Sequence, residues 1–440
     1  MPDIMQAARR LSQAIQLPTV SHSDPALMDM AAFDAFGAFL ADAFPLVHRQ
    51  LEKAVVNGHG LVYRWKGSSG LAPVLLTAHY DVVPAEDGGW PYPPFSGEIA
   101  DGYVFGRGSL DDKGSLMAIL EAVTALLQEG FVPRRDVYLA FGFDEEVGGA
   151  RGAQQIAAHF QQQGLLFDHV LDEGGAVADG AMMGIAKPVA VIGVAEKGNT
   201  SFRLTFTGEE GHSSAPPAHT AVSRMAELVH RAGKSPPRPR LTDTVCDMLR
   251  AIAPHKPGIA GRLMARPRQF APLLMGTMLK SRQTAAMLRT TQAFTMATGG
   301  SAHNVLPQTA TCTVNLRLLQ GDSVQSALQR LRSHGIPFEA QAIQQAEPTR
   351  ASDTASPAYL HLTDCIARIF PDAVPTPYLM TGGTDCRHYE QVVKNSYRFL
   401  PARANEEELA RIHGRGERLS LDNLRDMIAF YTLYLRSLPG

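Results

Sequence analysis

Four acidic or imidazole clusters lie in order along this chain, each just after a short apolar run: His79-Tyr-Asp81, Gly106-Arg-Gly-Ser-Leu-Asp111-Asp112-Lys-Gly, Asp144-Glu145-Glu146 and Asp172-Glu173. The preceding runs, Val74 to Ala78, Val104 to Phe105, Val137 to Phe143 and His169 to Leu171, have strand character. The clusters would therefore stand where strands end. In α/β sheets that edge is where ligands bind. A chain with this pattern is constrained to an architecture in which several strand ends converge.

The spacing between the clusters supplies the rest of that architecture. From Asp3 to about Pro188 helical and strand patterns alternate: helical over Met28 to Phe44, strand over Gly60 to Trp65 and Val74 to Ala78, helical over Lys113 to Gln128, strand over Val137 to Phe143, helical over Arg151 to Gln163. Asp111 and Asp112 sit where a helix should begin, and Gly130 where it should close. The expectation is an α/β fold with a mostly parallel sheet covered by helices. At 440 residues, with 45% hydrophobic content, the chain is too long for one ordinary domain and can bury a large core.

A change of character near Lys197-Gly198-Asn199 marks the second unit. Ser201 to Thr207 alternates as a half-buried strand, Thr220 to Ala232 is helical in spacing, and a strand, a helix and a strand follow over Thr309 to Ile343. The division expected is a catalytic domain over 1–198 and 348–440, with a smaller α+β lid or dimerisation domain inserted at 199–347. Within it, 236–298 is rich in Arg, Lys and Met and holds only two acids, Asp243 and Asp247. Two readings stay open for that segment. It is a helical elaboration whose apolar face packs on its own domain, or a greasy basic wall for an acyl chain or amphiphile.

Composition excludes several classes of partner. The formal net charge of -2 gives no overall field to draw nucleic acid. No apolar stretch is long enough to span a bilayer, so no transmembrane segment is expected, and Ile4, Ala8, Leu11 and Ile15 fall at helical spacing rather than in an unbroken apolar leader. The four cysteines, Cys246, Cys312, Cys365 and Cys386, form no Cys-x-x-Cys pair. Neither disulfides nor a thiolate zinc site is suggested, and a cytoplasmic location is the simplest expectation.

A two-zinc hydrolase needs a carboxylate to bridge two ions, with an imidazole and a further carboxylate on each side, and the clusters offer the carboxylates together with one imidazole, His79. Three adjacent carboxylates at a strand end repel one another unless a cation neutralises them. The Gly106-Arg-Gly-Ser-Leu-Asp111-Asp112-Lys-Gly phrase is the most specific of these signals. With Pro93-Pro94-Phe95-Ser96-Gly97, Gly211-His212-Ser213-Ser214-Ala215-Pro216-Pro217, Asn304-Val305-Leu306-Pro307, Gly383-Thr384-Asp385-Cys386-Arg387 and Arg411-Ile412-His413-Gly414, it makes the chain resemble the zinc-dependent aminoacylase, carboxypeptidase and deacylase superfamily, metallopeptidase family twenty. Within it, the wording is nearest the carboxypeptidase S-like branch of Gly-X carboxypeptidases and N-acyl-amino-acid hydrolases.

That resemblance implies two Zn2+ ions, with Co2+ or Mn2+ as substitutes, one held by His79 and Glu173, the other by Glu146 and His413, and Asp111 bridging. Asp172 rivals Glu173, and His388 rivals His413. It further implies that Asp81 orients His79, that Glu145 is the general base, and that a cis peptide joins Asp111 to Asp112. His212 would stabilise the oxyanion, in many relatives from a neighbouring subunit. If it works in trans here, the lid must form a homodimer. The Arg387 guanidinium suits a substrate carboxylate, and Asn304 suits the same carboxylate or the scissile carbonyl. The expected substrate is dipeptide-like or an N-acyl amino acid, cleaved at the amide next to a free carboxylate. The alternative is a metal-free relative that binds a ligand or partner without turnover.

Overall fold

A computed structural model describes residues 3–86 and 88–439. Its centre is a nine-stranded mixed sheet. Val74–His79 runs parallel between Val137–Gly142 and Phe167–Asp172, and all three strands are wholly or almost wholly buried. Burial on both faces explains why these runs read as continuous apolar segments rather than alternating ones. Outside them, Gly60–Trp65 pairs antiparallel with Val137–Gly142, and Glu52–Val56 antiparallel with Gly60–Trp65 at the edge. On the other side Val393–Arg398 runs parallel to Phe167–Asp172, followed by Val189–Glu196 and Val374–Met380.

Helices cover both faces. Lys113–Gln128, Leu421–Arg436, Ile4–Ile15 and Pro357–Ile369 share one large core, which includes Leu116, Leu120, Leu424, Phe430, Leu11 and Leu362. Ala153–Gln162 closes the opposite face with Ile156 and Phe160 against Leu75 and Tyr138. Lys113–Gln128 matches its expected span, and Gly130 adopts the left-handed φ of 70° that a helix-ending glycine supplies. Asp112 does not cap that helix with its side chain. Its carboxylate is buried, and neither oxygen has a hydrogen-bond partner. Lys113 is also buried, and its Nζ donates to the carbonyls of Ala14 and Leu17 at 3.0 and 2.7 Å, fastening the first helix to the loop that carries Asp111.

A second sheet, ordered Thr291–Gly299, Thr309–Leu318, Gly198–Thr207, Glu339–Ala346, is antiparallel throughout and lies within 199–347 apart from its first residue. Ala221–Lys234 and Val324–Arg332 pack Leu228 and Leu331 against its Phe202, Val314 and Leu316.

The Arg- and Met-rich segment, expected to be helical over 236–298, is helical only as far as Ala286, and its end forms the strand Thr291–Gly299 of the second sheet. The apolar face of its helices packs on the large sheet rather than on the second one. Val245, Met248, Leu249, Leu274, Met278 and Met287 join Val189, Ala195, Val374 and Leu379 from the end strands of the large sheet. The reason is the exposed flank that any open sheet presents: Val374–Met380 is an end strand, and the helix Asp243–Ile252 lies against it.

Candidate metal centre

Because Val74–His79 is parallel to both its neighbours, three strand ends emerge side by side. His79 closes its strand opposite Gly142, Glu145 and Glu146 lie in the short 3-10 turn just beyond Gly142, and Glu173 follows Asp172. Asp111 reaches the same edge from the loop after Tyr103–Phe105, and His413 from the loop after Glu406–Leu409. The bridging carboxylate is divided between two imidazoles, with Asp111 Oδ1 3.1 Å from His79 Nε2 and Oδ2 3.1 Å from His413 Nε2. Glu173 Oε1 stands 3.4 Å from His79 Nε2, and Glu146 Oε2 2.9 Å from His413 Nε2. Two triads, His79-Asp111-Glu173 and Asp111-Glu146-His413, thus share one aspartate, and the ligand atoms in each lie within 4.8 Å of one another.

The chemistry of the site fits two divalent ions. Burial pushes the carboxyls of Glu173 and Glu145 well above the usual range, and the neighbouring Asp111 charge pushes each further. Asp111 is held well below it by hydrogen bonds from His413 and His79. Glu146 Oε1 is buried without a partner. Buried acids this close are an expensive arrangement for the protein alone and a ready one for cations, and imidazole with carboxylate suits zinc.

By distance, Glu173 and His413 join the two triads and their rivals do not. Asp172 is buried, beside Thr77 and Thr384, and belongs to neither triad. His388 Nε2 lies 2.9 Å from the Gly148 carbonyl, outside both triads. The Asp111–Asp112 peptide is cis.

Asp81 differs in detail from its expected contact. With Nε2 of His79 facing the ligands, Nδ1 carries the proton, and its nearest acceptor is the Asp81 backbone carbonyl at 3.0 Å, the carboxylate lying at 3.4 Å. The Asp81 carboxylate instead accepts the amides of Glu145 and Glu146 at 3.1 and 3.2 Å. One residue therefore orients the histidine and anchors the acidic turn. Asp144 closes that turn by accepting the amides of Arg151 and Gly152.

Several residues here carried no signal in the sequence. Glu417, fully buried, accepts the amides of Leu110 and Asp111 with one oxygen and the Arg107 guanidinium, at 2.6 Å, with the other. It ties the bridging aspartate's loop to the segment bearing His413. Glu196 binds Arg387 at 2.6 Å and Arg398 at 2.5 Å, so Arg387 arrives at the site with one face already engaged. Nothing local in the sequence pairs these residues, which lie roughly 190 to 310 positions apart.

Beside the candidate metal centre a cavity of about 1090 Å³ is lined by Glu145, Glu146 and His413 on one side and Asn199 and Arg317 of the second sheet on the other. Asn199 and Arg317 are cross-strand neighbours. Among the described residues no carboxylate pairs with Arg317, and burial followed by the charge of Arg387 lowers its pKa, as expected of two guanidiniums facing one space. His212 and Asn304 are together elsewhere. His212 pairs with Val305 in a small exposed ribbon, the Asn304 carbonyl accepts the Ser213 amide, and neither residue lines this cavity.

Fold and donor set together define a metal-dependent hydrolase with a dinuclear centre. Residues 75–437 match the family model described as Peptidase family M20/M25/M40, and the chain belongs to that family. Its similarity runs to the carboxypeptidase S-like branch. It is 36% identical over 438 residues to a probable carboxypeptidase S-like 2 of Dictyostelium discoideum, covering 97% of this chain and 84% of the relative. It is 35% identical over 429 residues to the human N-fatty-acyl-amino acid synthase/hydrolase PM20D1, covering 96% and 85%. Among solved structures, an M20 family metallo-carboxypeptidase from Sulfolobus solfataricus superposes with a TM-score of 0.73 at 18% identity, covering 99% of each chain.

Proposed function

We propose that this protein hydrolyses an amide bond adjacent to a free carboxylate, in a dipeptide-like or N-acyl-amino-acid substrate. The observation that carries the reading is the pair of His–carboxylate triads sharing Asp111, facing a cavity whose far wall holds a guanidinium with no carboxylate partner. His79, Glu173 and Asp111 would hold one ion, and Asp111, Glu146 and His413 the other. Bound there, divalent ions supply Lewis-acid polarisation of the scissile carbonyl and of the attacking water.

The chain's own residues supply the rest. Glu145 belongs to neither triad, faces the cavity, and is made more basic by burial and by neighbouring carboxylates. It accepts the proton of the attacking water and delivers it to the leaving amine. Arg317 and Arg387 grip the substrate carboxylate, with Glu196 fixing the direction of Arg387. Asn199 donates from the same strand pair.

Residues 199–347 act as a lid over this site. His212 and Asn304, exposed on their ribbon, would serve a site in a second copy. A homodimer through the lid would bring His212 to the oxyanion there. The four cysteines are buried and unpaired, which accords with a reducing cytoplasmic setting.

Relatives whose names denote carboxypeptidases and an N-fatty-acyl-amino acid hydrolase leave both acyl groups in contention. A panel of Gly-X dipeptides and N-acyl amino acids of rising chain length, each beside its carboxamide, separates them with metal-quantified protein. We expect carboxylates to be cleaved, carboxamides to lose about tenfold or more in kcat/KM, and chelation to abolish turnover. Equal cleavage of carboxamides, or no turnover with two ions bound, would overturn the reading.

A further inference from the structure

From Met248 to Gly321 the chain carries no acidic residue. The preceding acids of the Arg- and Met-rich segment are already engaged, Asp243 by Arg268 and Asp247 by Arg250. Arg262, Arg266, Lys280 and Arg282 are exposed, and among the described residues none has a carboxylate at ion-pair distance. Ile259 just before them, and Phe270 and Leu273 among them in sequence, stand exposed at 74%, 37% and 58%. The two short helices concerned, Ile259–Met264 and Ala271–Met278, turn Leu263, Met264, Leu274 and Met278 inward to the core on the large sheet, so the outward apolar residues are not needed for packing. A depression of about 520 Å³ lined by Arg250, Lys256 and Arg262 opens beside Ile259.

A surface that only binds water has no reason to combine unpaired cations with large exposed aliphatic side chains. That combination fits an interface with an anionic outer layer and an apolar layer beneath it. Nucleic acid would use the charge but not Ile259 and Leu273. We propose that the outward face of residues 256–282 is a docking surface for anionic lipid, with Arg262, Arg266, Lys280 and Arg282 meeting headgroups and Ile259, Phe270 and Leu273 entering the acyl boundary. None of these residues lines the metal cavity, so the inference stands apart from the hydrolytic reading.

Flotation of the full chain with phosphatidylcholine vesicles, with and without 30% phosphatidylglycerol, tests it at low and high salt. Binding is expected only to the anionic vesicles, and about tenfold or more weaker in the Arg262→Glu/Arg266→Glu and the Ile259→Ser/Leu273→Ser variants. Both variants should keep the native metal content and circular dichroism, which separates loss of docking from loss of fold. No flotation with anionic vesicles overturns the proposal, as does equal flotation with neutral ones. Full retention by the Ile259→Ser/Leu273→Ser variant, with competition by duplex DNA, would make the face a general polyanion surface and overturn the lipid assignment.

Discussion

Glu145 shows how much one position depends on its neighbours. Its amide is held by Asp81 and its carboxyl is destabilised as an anion by burial. Glu145→Gln keeps the shape, so metal content should be unchanged while kcat falls about 10² to 10⁴-fold, measured by steady-state kinetics with metal analysis on the same sample. Near-normal turnover would remove Glu145 from the reaction. The ligands themselves make a second prediction. Hydrogen bonds to Asp111 and Glu146 raise the His413 pKa to about 10 in the metal-free protein, so its imidazole is protonated at neutral pH and must lose that proton to bind an ion. Metal uptake should therefore release protons at pH 7, and affinity should weaken as pH falls, as calorimetry in buffers of different ionisation enthalpy would report. At free ion a thousandfold above Kd the bound ion adds about 4 kcal/mol of stability, which a chelator should remove in a thermal scan.

At the scale of elements, the Arg- and Met-rich segment is informative because three of its methionines, Met248, Met278 and Met287, turned out to be core. Met278 is 8% exposed and lies in one cluster with Val374 and Leu379 of the large sheet. Met278→Ala should cost about 2 to 5 kcal/mol in denaturant unfolding of the catalytic domain, with turnover per folded molecule unchanged. A loss of turnover without loss of stability would instead return the segment to the substrate. The sequence pattern marked this stretch as greasy and as helical throughout, although 291–298 is a strand. It could not show which surface the grease would meet, because amphipathicity fixes a face and not its partner. The strand Val393–Arg398 escaped notice for a related reason. Four of its six residues are buried, but two of those are Ser396 and Arg398, and its Lys394 is exposed, so no apolar run announces it, yet it lies beside Phe167–Asp172 and brings Arg398 to Glu196.

For the whole molecule, the open question is whether one chain completes a site. His212 is exposed on its ribbon and outside the cavity, whereas Glu145 lines it. Were His212 to act in trans, mixing inactive His212→Ala with inactive Glu145→Gln would form heterodimers in which one of the two sites is intact. About a quarter of wild-type activity should then return in an equal mixture that has exchanged subunits. No recovery after exchange, shown by mass spectrometry of tagged subunits, would assign His212 to its own chain or to no catalytic role.

The sequence by itself determined the alternation of strands and helices and the positions of the ligand-bearing clusters at strand ends, because burial periodicity and metal-ligand chemistry are local properties of a chain. The four clusters could be marked on that basis, while the choice of His79, Asp111, Glu146, Glu173 and His413 as the ligands rested on the resemblance. Tertiary structure alone decided that Glu173 and His413, rather than Asp172 and His388, stand within reach of Asp111. It also supplied Glu417 behind Asp111, Glu196 behind Arg387, and Arg317 across the cavity. These partners lie far apart along the chain, and their pairing follows from where strands and loops meet in space, which no local pattern encodes.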